Sequence, residues 1–207
     1  MTTTSPRLVT WENGTDLVIE LPLASDVPTV WAKMIDQKSA SDWFAEFTIE
    51  APPQNAGDGE SNDEPNDTIV FDLGETQLHG EVLSYEPEDH VLVELDDFGV
   101  LGVQLIPIQL TDGDATLLIF TQSAPDEESA RLKAADFGPM WDTHLRLFAK
   151  SLGLDADEIP EPQLLETYAD LELEDSLAGD DDSDGGTSAG GTSDGGTEDS
   201  EDEAGTE

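Results

Sequence analysis

The sequence predicts an α+β domain: a curved antiparallel sheet of about seven strands, two short helices after the first strand, and one long C-terminal helix laid across the sheet. Three observations carry this expectation. Short strand-like segments separated by turn residues run as far as Ser123. Two short helical patterns interrupt them early. The chain then presents an amphipathic helix, Pro139 to Leu152, whose Trp141, Leu145, Phe148 and Leu152 form a single apolar stripe. One helix closing a curved sheet encloses a space of the kind that holds an apolar ligand.

The first strands follow from turn chemistry. Asn13-Gly14 is a hairpin signal, so Leu8–Glu12 pairs with Asp16–Leu23, where Leu17, Ile19, Leu21 and Leu23 share one face. Ser25 then caps a helix with Val27, Val30, Trp31 and Met34 on one side, and Pro28 is tolerable in its first turn. A second short helical piece spans about Ser39 to Trp43.

Six further strands are expected at Phe44–Glu50, Thr68–Asp72, Thr76–Glu86, His90–Leu95, Gly99–Leu110 and Ala115–Ser123. Gly74, Pro87-Glu88-Asp89, Asp96-Asp97 and Asp112-Gly113 supply tight turns between the later ones, so meander pairing is the economical arrangement. In Gly99–Leu110 the apolar positions change phase at Pro107, which predicts a bulge that bends the sheet. Ala51–Asp67 has almost nothing to bury and reads as a long solvated loop. Asp126–Ala135 reads as one or two helical turns, interrupted by Gly138-Pro139 before the main helix.

Three regions result: a domain over 1–153, an extension over 154–178, and a tail over 179–207. Leu164, Tyr168 and Leu171 have helical spacing and predict a short helix docked from the extension. The tail contains three five-residue units built on Gly-Gly-Thr between Asp184 and Glu198, and its composition predicts disorder.

Charge narrows the classes of partner. The 207 residues hold 49 Asp plus Glu against seven Lys plus Arg, a net charge of -42. Eleven of the acids lie in the tail, so the remainder is acidic as well. Such self-repulsion opposes compaction in dilute buffer, whereas at molar salt the Debye length falls to about 3 Å. The acids are scattered rather than gathered on one segment, and the chain reads as halophilic. The same sign of charge argues against nucleic acid and anionic membranes as partners. The N-terminus has no signal-peptide pattern and no run approaches the length of a membrane span, so a cytoplasmic protein is expected. With no cysteine, disulfides, thiolate catalysis and Cys-bound metal are excluded.

No catalytic set emerges. His79, His90 and His144 lack metal-site spacing with one another; His144, one step from the helix stripe, has a place from which to line the cavity as a proton donor, but a structural or rim histidine is the simpler reading. Carboxylates are too abundant for any pair to stand out. Glycine-rich phosphate loops and Gly-x-Ser-x-Gly are absent. No catalytic residue, metal or cofactor is therefore assigned. The aromatic residues are the better guide. Trp43, Phe71, Tyr85 and Phe120 fall at helix ends or strand positions that face the space under the closing helix, as do Phe137 and Trp141 on the approach to it and within it. With His144 and Leu145 they form the set of pocket candidates. Trp141 and Tyr85 combine a large apolar body with one polar tip, suited to orienting a ligand.

The order of strand, two helices, six strands and one long helix resembles the helix-grip architecture of the START-like (SRPBCC) superfamily over about residues 16–152. Local features resemble the branch related to the activator of Hsp90 ATPase: Ser25-Asp26-Val27-Pro28-Thr29-Val30-Trp31, Trp43, Gly80-Glu81-Val82-Leu83 leading to Glu86-Pro87, and Leu92-Val93-Glu94. Asp112-Gly113-Asp114-Ala115-Thr116 and Met140-Trp141 with Leu145 and Leu147 complete the set. The long Ala51–Asp67 loop, Ala115 where glycine is common, and the acidic tail depart from that pattern. The resemblance implies three functions in descending order: binding of a small apolar or amphipathic molecule, an interaction module that engages a chaperone, or a cyclase- or hydrolase-type enzyme.

Overall fold

A two-residue turn at Glu12-Asn13 joins β1 (Ser5–Trp11) to β2 (Gly14–Leu23), with Trp11 opposite Gly14. The hairpin expected from Asn13-Gly14 forms, but its turn lies one residue earlier and Gly14 is already paired in β2. Gly14 is required because a Cβ there would lie 2.5 Å from the Ala124 carbonyl oxygen of the neighbouring strand. The computed structural model describes residues 2–51, 66–111 and 113–175, all within one compact unit, Met1–Leu177. Most of the expected 51–67 loop and the whole tail 179–207 lie outside the described residues.

Leu17, Ile19, Leu21 and Leu23 alternate along β2 and are fully buried. The chain then turns into α1 (Val27–Ile35), which buries Val30, Trp31 and Met34. Its cap is Asp26 rather than Ser25: the carboxylate accepts from Thr29 N at 3.0 Å, the third helical position, and Ser25 lies one residue too early to reach it. A 3-10 turn, Ser39–Asp42, follows.

The remaining strands are β3 (Glu46–Glu50), β4 (Thr68–Asp72), β5 (Gln77–Glu86), β6 (His90–Leu95), β7 (Gly99–Leu110) and β8 (Gly113–Ala124), each antiparallel to the next. A short β9 (Leu173–Asp175) pairs in parallel with β1, so among the described residues the sheet is mixed and has nine strands rather than about seven, in the order β3-β4-β5-β6-β7-β8-β2-β1-β9. Three residues are too few to show the alternation that announces a strand.

No bulge occurs at Pro107. The β7–β8 register runs without a shift from Leu101 to Leu110, and β6 ends opposite Gln104, so the missing N–H of Pro107 interrupts no ladder on that side. The irregularity lies instead in β5, between Val82 and Ser84.

The closing helix is longer than its apolar stripe suggested. α2 spans Glu127–Ser151 without a break at Gly138-Pro139. Asp126 caps it by accepting from Ser129 N at 2.8 Å. Proline removes one backbone bond, but Ala130, Ala134, Trp141, Leu145 and Phe148 bury a continuous face across that point, and tertiary packing outweighs the local loss. α3 (Glu161–Ala169) packs against α2 and buries Leu164 and Tyr168.

Between α2 and α3 lies a buried polar group. Asp142, 1% exposed, pairs with Arg146 Nε at 2.5 Å through Oδ1. Its Oδ2 accepts from Thr4 Oγ1 at 2.7 Å and from Tyr168 OH at 3.0 Å, while Arg146 also donates to Thr4 Oγ1. Burial, and then the Asp142 charge, push the Tyr168 hydroxyl far above its ordinary pKa, so it stays a donor.

Candidate functional site

Alternate residues of six strands line one concave surface. Phe47 and Ile49 of β3 and Ile69 and Phe71 of β4 form its outer end. Val91 and Val93 of β6, Leu101 and Val103 of β7, and Leu118 and Phe120 of β8 continue it inward. In β5 the contributors are Val82 and Tyr85, three positions apart; strict alternation would aim them to opposite faces, and the extra residue between Val82 and Ser84 restores the phase.

Across this surface lies the α2 stripe. Trp141, Leu145 and Phe148 roof the space, and Met34 and Ile35 at the end of α1 close one side. The enclosed volume is about 430 Å³, the size of a small-molecule site. Ile35, Ile49 and Tyr85 are 41%, 45% and 50% exposed, so an apolar rim leads into it.

Of the eight sequence candidates, seven line this cavity: Trp43, Phe71, Tyr85, Phe120, Trp141, His144 and Leu145. Phe137 does not. One turn before Trp141, it packs edge-on against Phe98 with ring centroids 5.0 Å apart, in a neighbouring part of the core. The sequence reasoning also passed over Phe44, Phe47 and the aliphatic residues of β4 to β8. Their period-two pattern was visible, but which face becomes concave depends on sheet curvature and on where α2 lies.

The polar tips do not behave as the amphipathic reading of Trp141 and Tyr85 expects. The Nε1 atoms of Trp43 and Trp141 are buried without a hydrogen-bond partner, sealed from the open space among rings. Phe148 stands edge-to-face with Trp43 at 5.1 Å, and Phe98 does so with Trp141 at 5.3 Å. Tyr85 sits at the rim, tilted against Trp31 at 5.3 Å. Gln37 and Asp67 are likewise exposed there.

His144 is different. Its ring lies edge-on to Phe44 at 5.0 Å, and Nδ1 stands 2.7 Å from the carbonyl oxygen of Trp43. A carbonyl only accepts, so Nδ1 carries the proton and Nε2 holds a lone pair. Burial holds the imidazole below its ordinary pKa, offset in part by that hydrogen bond, and keeps it neutral. Among the described residues no carboxylate bonds to it, and no Lys or Arg lines the cavity. The arrangement is suited to enclosing a molecule and offers no paired acid and base.

The β5–β6 turn brings Glu86, Asp89 and His90 together, with ligand atoms within 4.8 Å. Both ring nitrogens of His90 are already engaged, Nδ1 with Asp89 Oδ2 at 2.7 Å and Nε2 with Ser84 Oγ at 2.8 Å. The group is a hydrogen-bonded turn.

Among the described residues no helix is long and apolar enough to cross a membrane. No family model matches the sequence, and no curated protein matches it. Solved structures do. A conserved protein of unknown function from Enterococcus faecalis, EF2215, is similar with a TM-score of 0.55 and 20% identity, over 79% of this chain and 88% of that one. CalU16 from Micromonospora echinospora is similar in solution, with a TM-score of 0.55 and 14% identity over 81% of this chain and 94% of that one. Its crystal structure gives a TM-score of 0.51 at 14% identity, over 82% and 94% of the two chains. These likenesses concern the fold alone, an α+β architecture with a large curved sheet that is compatible with the START-like helix grip.

Proposed function

We propose that the chain binds a small apolar or amphipathic molecule in the cavity between its sheet and α2, as the START-like resemblance implies. One observation carries this reading: an unfilled space of about 430 Å³ lined almost wholly by apolar side chains. A core meant only for stability closes such a volume, since unfilled space costs about 24 cal/mol per Å³. Ile35 and Ile49, exposed at the rim, supply apolar surface along an entry path for a ligand of that character.

An interaction module like the Hsp90 activator calls for a filled interior, and the open cavity favours the ligand reading over it. Catalysis has less support: among the described residues no acid bonds to His144, and the carboxylate of Asp67 and the hydroxyl of Tyr85 stand at the exposed rim. Native mass spectrometry of protein from its own host, followed by denaturing extraction, tests the proposal. A near-stoichiometric apolar molecule is the expected result. Protein that is empty from its host and stays empty against a panel of neutral apolar compounds would overturn it.

A further inference from the structure

We propose that the cavity selects an uncharged, mostly apolar ligand bearing one hydroxyl, which donates its proton to Nε2 of His144. The inference rests on the ligand-binding reading and specifies the chemistry of its occupant. It follows from an inventory of polar atoms. Gln37, Asp67 and Tyr85 are at the exposed rim, where water competes for them. The Trp43 and Trp141 nitrogens are sealed among rings and present nothing to the open space. Strand backbone groups lie in the plane of the sheet rather than on its concave face, paired on both sides from β4 to β8 and on one side in the edge strand β3. His144 Nε2 is what remains: it has no hydrogen-bond partner among the described residues, and unlike the indole nitrogens it is not shut away.

Its chemical character is fixed by its other side. Because Nδ1 donates to the Trp43 carbonyl, Nε2 is an acceptor and cannot also donate without the ring becoming charged. A carboxylate or phosphate would therefore enter an apolar space that, inside the rim and among the described residues, has no cation and no free donor to replace its water, at large desolvation cost. A hydrocarbon would fit but would leave Nε2 unpaired. A ligand hydroxyl satisfies both partners, and a buried polar group left without a partner is what makes such recognition discriminating.

The test compares 1-naphthol, naphthalene and 1-naphthoate by calorimetric titration of the full chain, in the wild type and in His144→Phe and His144→Gln. The affinity ratio of naphthol to naphthalene is expected to fall about tenfold in His144→Phe and to recover partly in His144→Gln, whose amide oxygen accepts. Naphthoate is expected to bind far more weakly than either. If all three fail to bind the wild type, the cavity reading itself falls. If naphthol and naphthalene bind but their ratio is unchanged in His144→Phe, ligand binding stands and the role of His144 is overturned. Naphthoate binding as tightly as naphthol would overturn the selection for neutral ligands. Should His144→Phe not fold, the wild-type ¹⁵N shift of His144 Nε2 decides: it moves with naphthol and not with naphthalene, or the assignment is wrong.

Discussion

The ring of Tyr168 lies directly against the backbone of Gly138, so that a Cβ at Gly138 would stand 2.8 Å from Tyr168 Cγ and nearer still to Cδ1. This contact explains a glycine in the middle of α2. Alanine there would gain about 1 kcal/mol of helix propensity. It would also drive a methyl into a ring that is 1% exposed and has nowhere to go, and overpacking of that kind costs about 1–3 kcal/mol. Gly138→Ala is therefore expected to lower stability despite its better propensity, and a raised urea midpoint would contradict the packing account.

Asp142 is the charge on which the N-terminal segment, α2 and α3 converge. Arg146→Met removes its cation and leaves a carboxylate that is 1% exposed with only the Thr4 and Tyr168 hydroxyls as partners, a change worth about 3–5 kcal/mol. Tyr168→Phe removes a single donor from the same group and should cost less, about 1–3 kcal/mol. Chemical denaturation of both variants measures the order. Equal losses, or a larger loss for Tyr168→Phe, would mean that the ion pair is not the principal anchor.

Trp141 belongs to both core and cavity wall. It is 6% exposed and its ring meets Phe44, Phe98 and Phe120 at centroid distances of 5.8, 5.3 and 5.2 Å. Trp141→Ala is expected to destabilise the fold by about 3–5 kcal/mol, as a packed residue does. A loss below about 1 kcal/mol would identify the ring as cavity wall that the fold does not need.

The same residues show what could be read from the sequence. Leu17, Ile19, Leu21 and Leu23 alternate so cleanly that strand and buried face were legible together, and the Trp141, Leu145 and Phe148 stripe identified the roof. The continuation of α2 through Pro139 was not legible, because the burial that overrides proline comes from the sheet and from Tyr168, both distant in sequence. Phe137 and Trp141 are one turn apart and look alike in a pattern of apolar positions, yet only Trp141 reaches the cavity. His144 was visible as a near-stripe residue. Its significance depends on the Trp43 carbonyl 101 positions away, and no local pattern encodes that pairing.

Salt should govern stability. Outside the tail 179–207 the chain carries 38 acids against seven bases, and folding concentrates repulsion there that the unfolded chain spreads out; ions screen it over about 10 Å at 0.1 M and about 3 Å at 1 M. Six of the seven basic residues already hold internal partners: Arg7, Lys33, Arg131, Lys133, Arg146 and Lys150. Few cations are left to offset the remaining acids. Melting followed by circular dichroism is expected to show Tm rising steadily from 0.1 M to molar KCl. A flat Tm would remove the reading of the acid excess as an adaptation to high salt.

His144 gives stability a pH dependence of known sign. Burial lowers its pKa in the fold below the ordinary value of 6.5, so between that value and the lower one the unfolded chain binds a proton that the fold refuses. Stability is therefore full above about pH 6.5 and falls as the pH drops through this window. The cap carboxylates act elsewhere. Asp26, held down chiefly by its bonds to Thr29, and Asp126, by its bonds to Ser129, lie below 3.8 and release their contribution only in stronger acid. Urea midpoints measured from pH 7.5 to 5 at constant high salt isolate the histidine. His144→Phe should flatten the slope in that range while leaving the acid limb intact. An unchanged slope would mean that the ring in the fold is as free to take a proton as in water, and that Nε2 does not stand in the apolar surroundings described.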